Sequence, residues 1–281
     1  MPYPHSARPL AAALFAGALM LAPSAFAQDA EVKLDVPYVP TPMQVVDKML
    51  ELAQVTKDDY VIDLGSGDGR IPIRAAEKYG ARAFGVDINP VRVKEAEENK
   101  AKANVGDRVS FKVQNLFDTP IGEANVLTMY LLSRVNLELR PRILKEMRPG
   151  SRVTSHAFDM GDWKPERHEK VDGRDVYLWI VPAQVEGKWT IKDGDRSITV
   201  DLKQRYQELE GTATVGGQSG KVRDGRLRGT EISFVVDVDG KPRRFTGQVD
   251  GNQMKAGEAK QLEVPARDVE AAKDWQASRA S

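Results

Sequence analysis

The chain has 281 residues, of which 41% are hydrophobic and 29% are charged, a composition typical of globular proteins. Its 41 basic and 41 acidic residues give a formal net charge of zero, so the sequence predicts no bulk attraction to nucleic acid or to an anionic membrane. The absence of cysteine excludes disulfides, thiolate metal sites and thiol catalysis, and the three scattered histidines predict no metal site.

The N-terminal segment has the pattern of an export signal. Leu10–Leu21 is continuously apolar, and Ala25-Phe26-Ala27 is an A-x-A cleavage pattern. The apolar run is shorter than the roughly 20 residues that a membrane-spanning helix needs. We therefore expect a signal peptide at residues 1–27, a mature protein that is periplasmic or secreted, and no stable transmembrane segment. An uncleaved membrane anchor and a buried helix are the alternatives.

Residues 28–182 alternate between helical and strand patterns. Helices are predicted over 41–53, 71–79, 90–103 and 135–147, and strands over 60–64, 83–86, 109–113, 125–132, 152–156 and 176–182. Strands separated by helices of this length imply right-handed crossovers. We therefore predict an α/β domain with a Rossmann-like, doubly wound and mostly parallel sheet covered on both faces.

The pattern changes after Pro182 to short runs in which apolar and polar residues alternate. Asp239-Gly240 and Asp250-Gly251 lie between such runs, and Asp-Gly there is a strong hairpin signal. The sequence predicts a small antiparallel all-β module over residues 183–262, either a curled sheet or an open barrel. Its position suggests that it binds a partner in the cell envelope. Residues 263–281 are charged and Ala-rich and are predicted to be a flexible tail or a short frayed helix.

A glycine-rich turn follows the first predicted strand, in the stretch DLGSGDGR of residues 63–70. Open α/β sheets bind ligands at this end of their strands. A dinucleotide fingerprint has glycine at the sixth position, where this chain has Arg70. Carboxylates at Asp63 and Asp68 would repel a pyrophosphate but attract the ammonium and sulfonium groups of S-adenosylmethionine (SAM). The turn therefore favours SAM over a dinucleotide.

An acidic residue, Asp87, ends the second predicted strand. A carboxylate at that place can accept hydrogen bonds from both hydroxyls of a ribose. Alternatively, it could cap the helix that begins at Pro90. Its spacing from the glycine-rich turn favours the ribose.

These motifs resemble those of a known family. The stretch 63–69 resembles motif I of class I SAM-dependent methyltransferases, and Asp87 resembles the acid of motif II. Together with the stretch 63–70, segments 38–42, 128–132 and 155–165 resemble the protein-lysine methyltransferase group that includes the ATP synthase c-subunit lysine methyltransferase, over about residues 36–182. The resemblance implies SAM as cofactor and protein lysine as methyl acceptor.

The resemblance also implies roles for individual residues. For the acceptor side, position in the predicted sheet gives the catalytic candidates: Tyr130 ends the fourth strand, and His156 and Asp159 follow the fifth. Aromatic packing is the alternative for Tyr130, and a structural role is the alternative for His156. Asn115 would hold the adenine, although many relatives carry Asp there and a turn role is the alternative. Thr41 would bond either the SAM carboxylate or the N-terminus of the first helix. The predicted cofactor-binding residues are Tyr38, Thr41, Asp63, Gly65, Ser66, Gly67, Asp87, Ile88, Asn115 and Leu116.

The expected function is SAM-dependent methylation of protein lysine, by in-line transfer of a methyl group to a neutral amine. Two alternatives stay open at this point. The acceptor could be a small molecule, or the domain could be an inactive SAM-fold binding protein that acts as an adaptor in the cell envelope.

Overall fold

A computed structural model of the chain describes residue 1, residues 38–262 and residues 269–280. Apart from residue 1, the predicted signal peptide lies outside the described residues, as do residues 263–268 and 281 of the predicted tail. No helix in the described part of the chain is long and apolar enough to cross a bilayer.

The first half of the described chain forms a single sheet with four α-helices. The helices are α1 (Met43–Leu52), α2 (Arg70–Tyr79), α3 (Pro90–Ala103) and α4 (Ser133–Glu146), with a 3-10 helix at Leu116–Asp118. The strands are β1 (Tyr60–Leu64), β2 (Arg82–Asp87), β3 (Val109–Val113), β4 (Val126–Met129), β5 (Arg152–His156), β6 (Arg167–Val171) and β7 (Arg174–Ile180). Their order is β3-β2-β1-β4-β5-β7-β6; β1 to β5 are parallel, and β7 is antiparallel to both its neighbours.

The central strands are buried on both faces because successive apolar side chains point to opposite sides of the sheet. In β1, Val61 packs in the core under α1 and α2, whereas Ile62 and Leu64 pack in the core under α4. Every parallel strand therefore runs in the same direction between two helical layers, and their carboxyl ends meet at one edge. The predicted doubly wound α/β fold is confirmed.

The sequence prediction missed β6 and placed the start of β7 two residues late. The two strands form a hairpin whose turn is Asp172-Gly173, with φ of +48° and +76°. Positive φ at both central residues suits an Asp-Gly pair, so the signal was present in the sequence. The strand was hard to recognise because β6 lies at the sheet edge and is mostly charged (RHEKV).

The second half forms a closed antiparallel barrel of eight strands. They are β8 (Gly187–Asp193), β9 (Arg196–Arg205), β10 (Glu208–Val215), β11 (Gln218–Arg228), β12 (Glu231–Val238), β13 (Lys241–Asp250), β14 (Gln253–Ala256) and β16 (Trp275–Arg279), with a short β15 (Glu270–Ala271) beside β13. The order is β12-β11-β10-β9-β8-β16-β14-β13, and a β12–β13 pairing closes the ring. Side chains that include Trp189, Phe234 and Phe245 fill the interior, so the barrel is a packed core.

The predicted flexible or helical tail is wrong where the structure describes it. Trp275–Arg279 is a strand that pairs with both β8 and β14. Trp275 is buried and packs edge-on against Phe234 and Phe245. Alanine and charged residues favour a helix locally, but the buried tryptophan and the two strand pairings override that preference. The sheet domain and the barrel belong to one compact unit.

Candidate functional site

The carboxyl ends of β1, β2 and β4 border a cleft with an open volume of about 640 Å³. Residues 38–41, which precede α1, form one wall of the cleft and are called the strap below. Residues predicted from distant parts of the sequence therefore share one cavity. Those that line it are Tyr38, Thr41, Asp63, Gly65, Ser66, Gly67, Asp87 and Tyr130.

The glycine-rich turn gives the cleft a floor of bare backbone. The N–H groups of Gly65 and Ser66 both donate to the Val86 carbonyl, at 2.9 and 2.8 Å, which ties the turn to β2. Gly67 has φ of +53°, and a Cβ there would lie 2.5 Å from Cε2 of Tyr38. Only glycine lets the strap lie this close to the turn. The buried Ser66 hydroxyl has no partner among the described residues, so it is available to a ligand.

The carboxylate of Asp87 is held in place by two backbone N–H groups. Gly67 donates to its Oδ2 at 2.9 Å, and Asn89 donates to its Oδ1 at 2.8 Å. A carboxylate oxygen has more than one acceptor position, so both oxygens can still accept from a ligand. The fixed carboxylate beside a glycine floor and a free buried hydroxyl fits the ribose and amino-acid portions of SAM.

Asp63 lies deeper and is almost completely buried, with 2% of its surface exposed. The Thr128 hydroxyl donates to its Oδ1 at 2.6 Å. Burial raises the pKa of Asp63 to about 7, against the effect of the Thr128 hydrogen bond, and the charges of Asp87 and Asp68 raise it further. The negative charge of Asp63 is therefore incomplete near neutral pH, and a cationic ligand group would favour the ionised form.

Asp68 lines the cleft, but its charge is shared with a neighbouring cation. Its carboxylate is paired with Arg70, whose Nε and Nη2 donate to it at 2.9 and 2.5 Å. Although burial opposes the effect, these hydrogen bonds hold the pKa of Asp68 below its usual value. Of the three acids in the cleft lining, Asp68 is the one that is paired with a cation.

Two arginines that the sequence analysis did not assign to the site hold the strap. Arg70 Nη1 donates to the Thr41 carbonyl at 2.8 Å, and the Arg92 guanidinium lies 4.6 Å from the centre of the Tyr38 ring. The only sequence signal for Arg70 was its place at the sixth position of the fingerprint. Contacts that depend on the strap folding back over the turn have no local sequence pattern.

Thr41 does not cap the first helix, contrary to one of the two predicted roles. The N-cap of α1 is Pro42, and it has no side-chain capping bond. Instead, the buried Thr41 hydroxyl lies 3.2 Å from Nδ1 of His156, at the end of β5. The strap is therefore joined to the opposite side of the cleft.

Aromatic rings form that opposite side. The rings of Tyr130 and His156 are 3.8 Å apart between centroids, and Phe158 stacks on Tyr130 at 6.2 Å. Burial, with a smaller effect of the Arg174 charge, lowers the pKa of His156 to about 4. His156 is therefore neutral near pH 7. Phe158 was not predicted from sequence, although it stands in the segment 155–165 that carried the resemblance.

Asp159 is not among the residues that line the cleft, and its catalytic role stays a prediction. Its side chain is exposed, and its Oδ1 accepts from the Gly161 N–H at 3.0 Å, the geometry of a local turn. Sequence alone placed it at the active edge because it follows β5, but the chain turns away after Phe158.

The remaining predicted cofactor-binding residues follow β2 and β3: Ile88 comes after β2, and Asn115 and Leu116, predicted to hold the adenine, come after β3. Asn115 accepts from the Phe117 N–H at 2.9 Å and so caps the 3-10 helix, which is the turn role considered as its alternative. Leu116 packs against the core under α4, and Ile88 is half-buried beside Asp87. These three residues are not part of the cleft lining, and their contact with the cofactor stays a prediction.

Opposite pKa shifts at Asp63 and His156 predict opposite effects of pH on stability. Between pH 7 and 4 folded Asp63 binds a proton that the unfolded chain does not, so acidification stabilises the fold. Between pH 6.5 and 4 the unfolded chain protonates His156 and the fold does not, so acidification destabilises it. Asp63→Asn removes the first effect and keeps the second. We therefore expect the free energy of unfolding of this variant to fall by about 2 kcal/mol from pH 7 to 4.5.

Urea denaturation at several pH values would measure this effect. His156→Gln serves as the reciprocal variant, because it leaves Asp63 alone and should become more stable over the same interval. Parallel pH profiles for the two variants would show that the buried groups do not titrate as described.

Comparison with known proteins identifies relatives of the sheet domain. The family model of the ANTKMT methyltransferase domain matches residues 63–167. A protein-lysine N-methyltransferase of Saccharolobus islandicus is 47% identical, over 52% of this chain and 94% of that protein. The adenine nucleotide translocase lysine N-methyltransferase of Mus musculus is 30% identical, over 48% of this chain and 58% of the relative.

A solved structure gives the same assignment of the fold. It is an RNA methyltransferase from Salinibacter ruber in complex with S-adenosyl-L-homocysteine (SAH), 50% identical, covering 52% of this chain and 96% of that chain with a TM-score of 0.52. The region matched by the family model ends at the first residue of β6, so the barrel lies beyond it.

Proposed function

Since the chain belongs to the class I family of SAM-dependent protein-lysine methyltransferases, we propose that it methylates the side-chain amine of lysine in a protein substrate. Its class as a methyltransferase and SAM as its cofactor, both predicted from sequence, are confirmed by these relatives. The observation that carries the proposal is the cleft itself. A fixed Asp87 carboxylate lies on one side, and Tyr130, with the His156 ring tilted against it, lies on the other.

The residues of the cleft can do three things for this reaction. Asp87 and Ser66 provide acceptors and a donor for the polar groups of the cofactor, over a backbone floor that allows close approach. The strap, tied by Arg70 to the turn and by Thr41 to His156, keeps water from one side. When bound, SAM supplies a methyl group on a positively charged sulfur.

The acceptor lysine must arrive as a neutral amine, because its lone pair forms the new N–C bond as the C–S bond breaks. It can lose its proton to solvent, since a poorly solvated site lowers the pKa of a lysine. The buried His156 is neutral near pH 7, so it adds no positive charge that would act on this amine. The face of Tyr130 is the surface on which we place the side chain of the acceptor.

Removal of the Tyr130 ring is expected to lower kcat/KM for the acceptor by about 100-fold, because the amine is no longer aligned. In Tyr130→Ala the Kd for SAH, measured by calorimetry, should change much less than kcat/KM. Tyr130→Phe keeps the ring and serves as the matched control. If kcat/KM and SAH affinity fell by one common factor, Tyr130 would be a cofactor residue and not an acceptor residue.

Transfer of a radiolabelled methyl group from SAM to fractionated extract would test the acceptor class. We expect the label in protein, released as methyl-lysine after complete hydrolysis, and absent with Asp87→Ala. RNA is the second candidate, because the Salinibacter ruber relative is described as an RNA methyltransferase. Label that is lost to ribonuclease, or that stays in the small-molecule fraction, would refute the lysine proposal.

We also propose that the protein acts outside the cytoplasm, on the support of the A-x-A pattern at residues 25–27. The mass of the N-terminus in fractionated cells would test this. Export predicts a periplasmic or secreted species that begins near Gln28. A full-length species in the membrane fraction would instead indicate the anchored alternative, and one in the cytoplasm would contradict export.

A further inference from the structure

The loop between β5 and β6, residues 157–166, begins at the aromatic side of the cleft. The Phe158 N–H donates to the His156 carbonyl at 2.8 Å across Ala157, whose φ is +65°. Such a tight turn at a residue with a Cβ is strained, and it persists only where its surroundings hold it. The turn sets where Phe158 lies relative to Tyr130.

Helix α4 holds the first half of this β5–β6 loop. The fully buried Asn136 amide donates to the carbonyls of Phe158 and Asp159, at 3.1 and 3.2 Å. Arg140 Nη1 donates to the Met160 carbonyl at 2.7 Å. These bonds fix the backbone immediately after the strained turn.

The barrel holds the second half of the same loop through the turn between β9 and β10. The Tyr206 hydroxyl and Arg205 Nη2 both donate to Asp162, each at 2.9 Å. These two bonds hold the pKa of Asp162 well below its usual range. The ring of Tyr206 stacks on Trp163 at 6.0 Å, and Gln207 Nε2 donates to the Lys164 carbonyl at 2.9 Å.

Tyr206 contacts both the second half of the β5–β6 loop and the helix that supports its first half. Its ring lies 5.3 Å from the Arg140 guanidinium, which itself pairs with Asp162 at 2.5 Å. One side chain of the barrel therefore contacts the loop and the arginine of α4 that supports the loop.

The backbone of Tyr206 is in a conformation that its own turn does not favour. It has φ of +56° between β9 and β10, where glycine or asparagine is the usual residue. A bulky side chain at positive φ is a true outlier. A glycine would relieve the turn, so the tyrosine is explained by what its ring contacts rather than by the turn.

We propose that the barrel is a positioning element for methyl transfer, in which Tyr206 holds the β5–β6 loop so that Phe158 and His156 keep their places beside Tyr130. The inference rests on the proposed function, because it takes the aromatic side of the cleft as the acceptor side. It gives the barrel a role in the reaction without any contact to cofactor or substrate.

Tyr206→Gly is the decisive variant, because it relieves the backbone while it removes the ring. In the full chain we expect faster amide hydrogen exchange in peptides from residues 157–166 and a drop of about tenfold in kcat/KM for methyl transfer. The Kd for SAH, measured by calorimetry, should stay within about threefold of the wild type. Tyr206→Phe keeps the stack on Trp163 and should restore most of the activity.

Asp239→Gly is the matched control. Asp239 also has positive φ, +52°, in the short turn between β12 and β13, but its ion-pair partner is Arg196 of the barrel and not the β5–β6 loop. It should leave exchange in the loop and methyl transfer unchanged.

Two results would overturn the inference. One is a Tyr206→Gly enzyme with unchanged loop exchange and unchanged kcat/KM. The other is a parallel loss of SAH affinity and activity, which would indicate a general loss of structure. The exchange and SAH measurements need no acceptor, and kcat/KM can be measured on whichever acceptor is labelled. Failure of the lysine proposal is therefore distinguishable from failure of this one.

Discussion

Asp87→Ala is expected to weaken SAM binding by about 100-fold, since charge-assisted hydrogen bonds to two ribose hydroxyls are worth on the order of 3 kcal/mol together. A second effect adds to this loss of SAM affinity, because Asp87 also holds the backbone of the cleft in place. The carboxylate also accepts the N–H groups of Gly67 and Asn89, so its removal releases the floor of the cleft.

A thermal-shift assay measures this loss. SAM at about 100 times its wild-type Kd should stabilise the wild type by about 2.7 kcal/mol, but a variant with 100-fold weaker binding by only about 0.4 kcal/mol. Asp107→Ala, an exposed acid between α3 and β3, is the control and should keep the full shift. An unaltered shift in Asp87→Ala would show that Asp87 does not bind the ribose.

Trp163→Ala is expected to cost about 3–5 kcal/mol of stability, the range measured for large aromatic residues in cores. The Trp163 ring is 1% exposed and packs on Trp179 and Tyr206, both with ring centroids 6.0 Å away. Its removal leaves a cavity between α4, β7 and the barrel. Because the Trp163 carbonyl accepts from Trp179 Nε1 at 2.7 Å, movement of the backbone would also disturb that bond.

Chemical denaturation of the full chain would measure the loss in the free energy of unfolding. Thermal unfolding should show a Tm lower by roughly 10 °C. Val113→Ala, at an exposed apolar position that ends β3, is the control and should change stability by less than about 0.5 kcal/mol. A loss below about 1 kcal/mol for Trp163→Ala would mean that the surrounding layers close the cavity, and that the barrel is not anchored there.

Local sequence patterns predict the bounds of a helix or strand correctly where the signal lies within that element. The predicted bounds of β1, α3, β3 and β5 agree with the structure, because each is an apolar or amphipathic run between clear breaks. The same holds for the centre of the site. The glycine-rich turn and Asp87 lie within one βαβ unit, so their meeting follows from the fold.

Long-range contacts explain most of what the sequence did not reveal. Thr41 meets His156 across 115 residues, and no spacing rule connects a strap before the first helix with the end of the fifth strand. The pairing of Asp68 with Arg70 is a different case, because the two residues are neighbours in sequence but spacing alone does not show that their side chains meet. Trp275 was placed in a flexible tail because its burial depends on residues of β12 and β13.

The barrel is closed by a strand that is far from its neighbour in sequence. Because β16 lies between β8 and β14, the ring cannot form until Trp275–Arg279 has been synthesised, whereas the parallel sheet is complete at Ile180. During translation the edge of β8 that pairs with β16 therefore stays unpaired while all the strands between them in sequence are made. An unpaired strand edge can join another chain, so the β8 edge carries a risk of aggregation until the barrel closes.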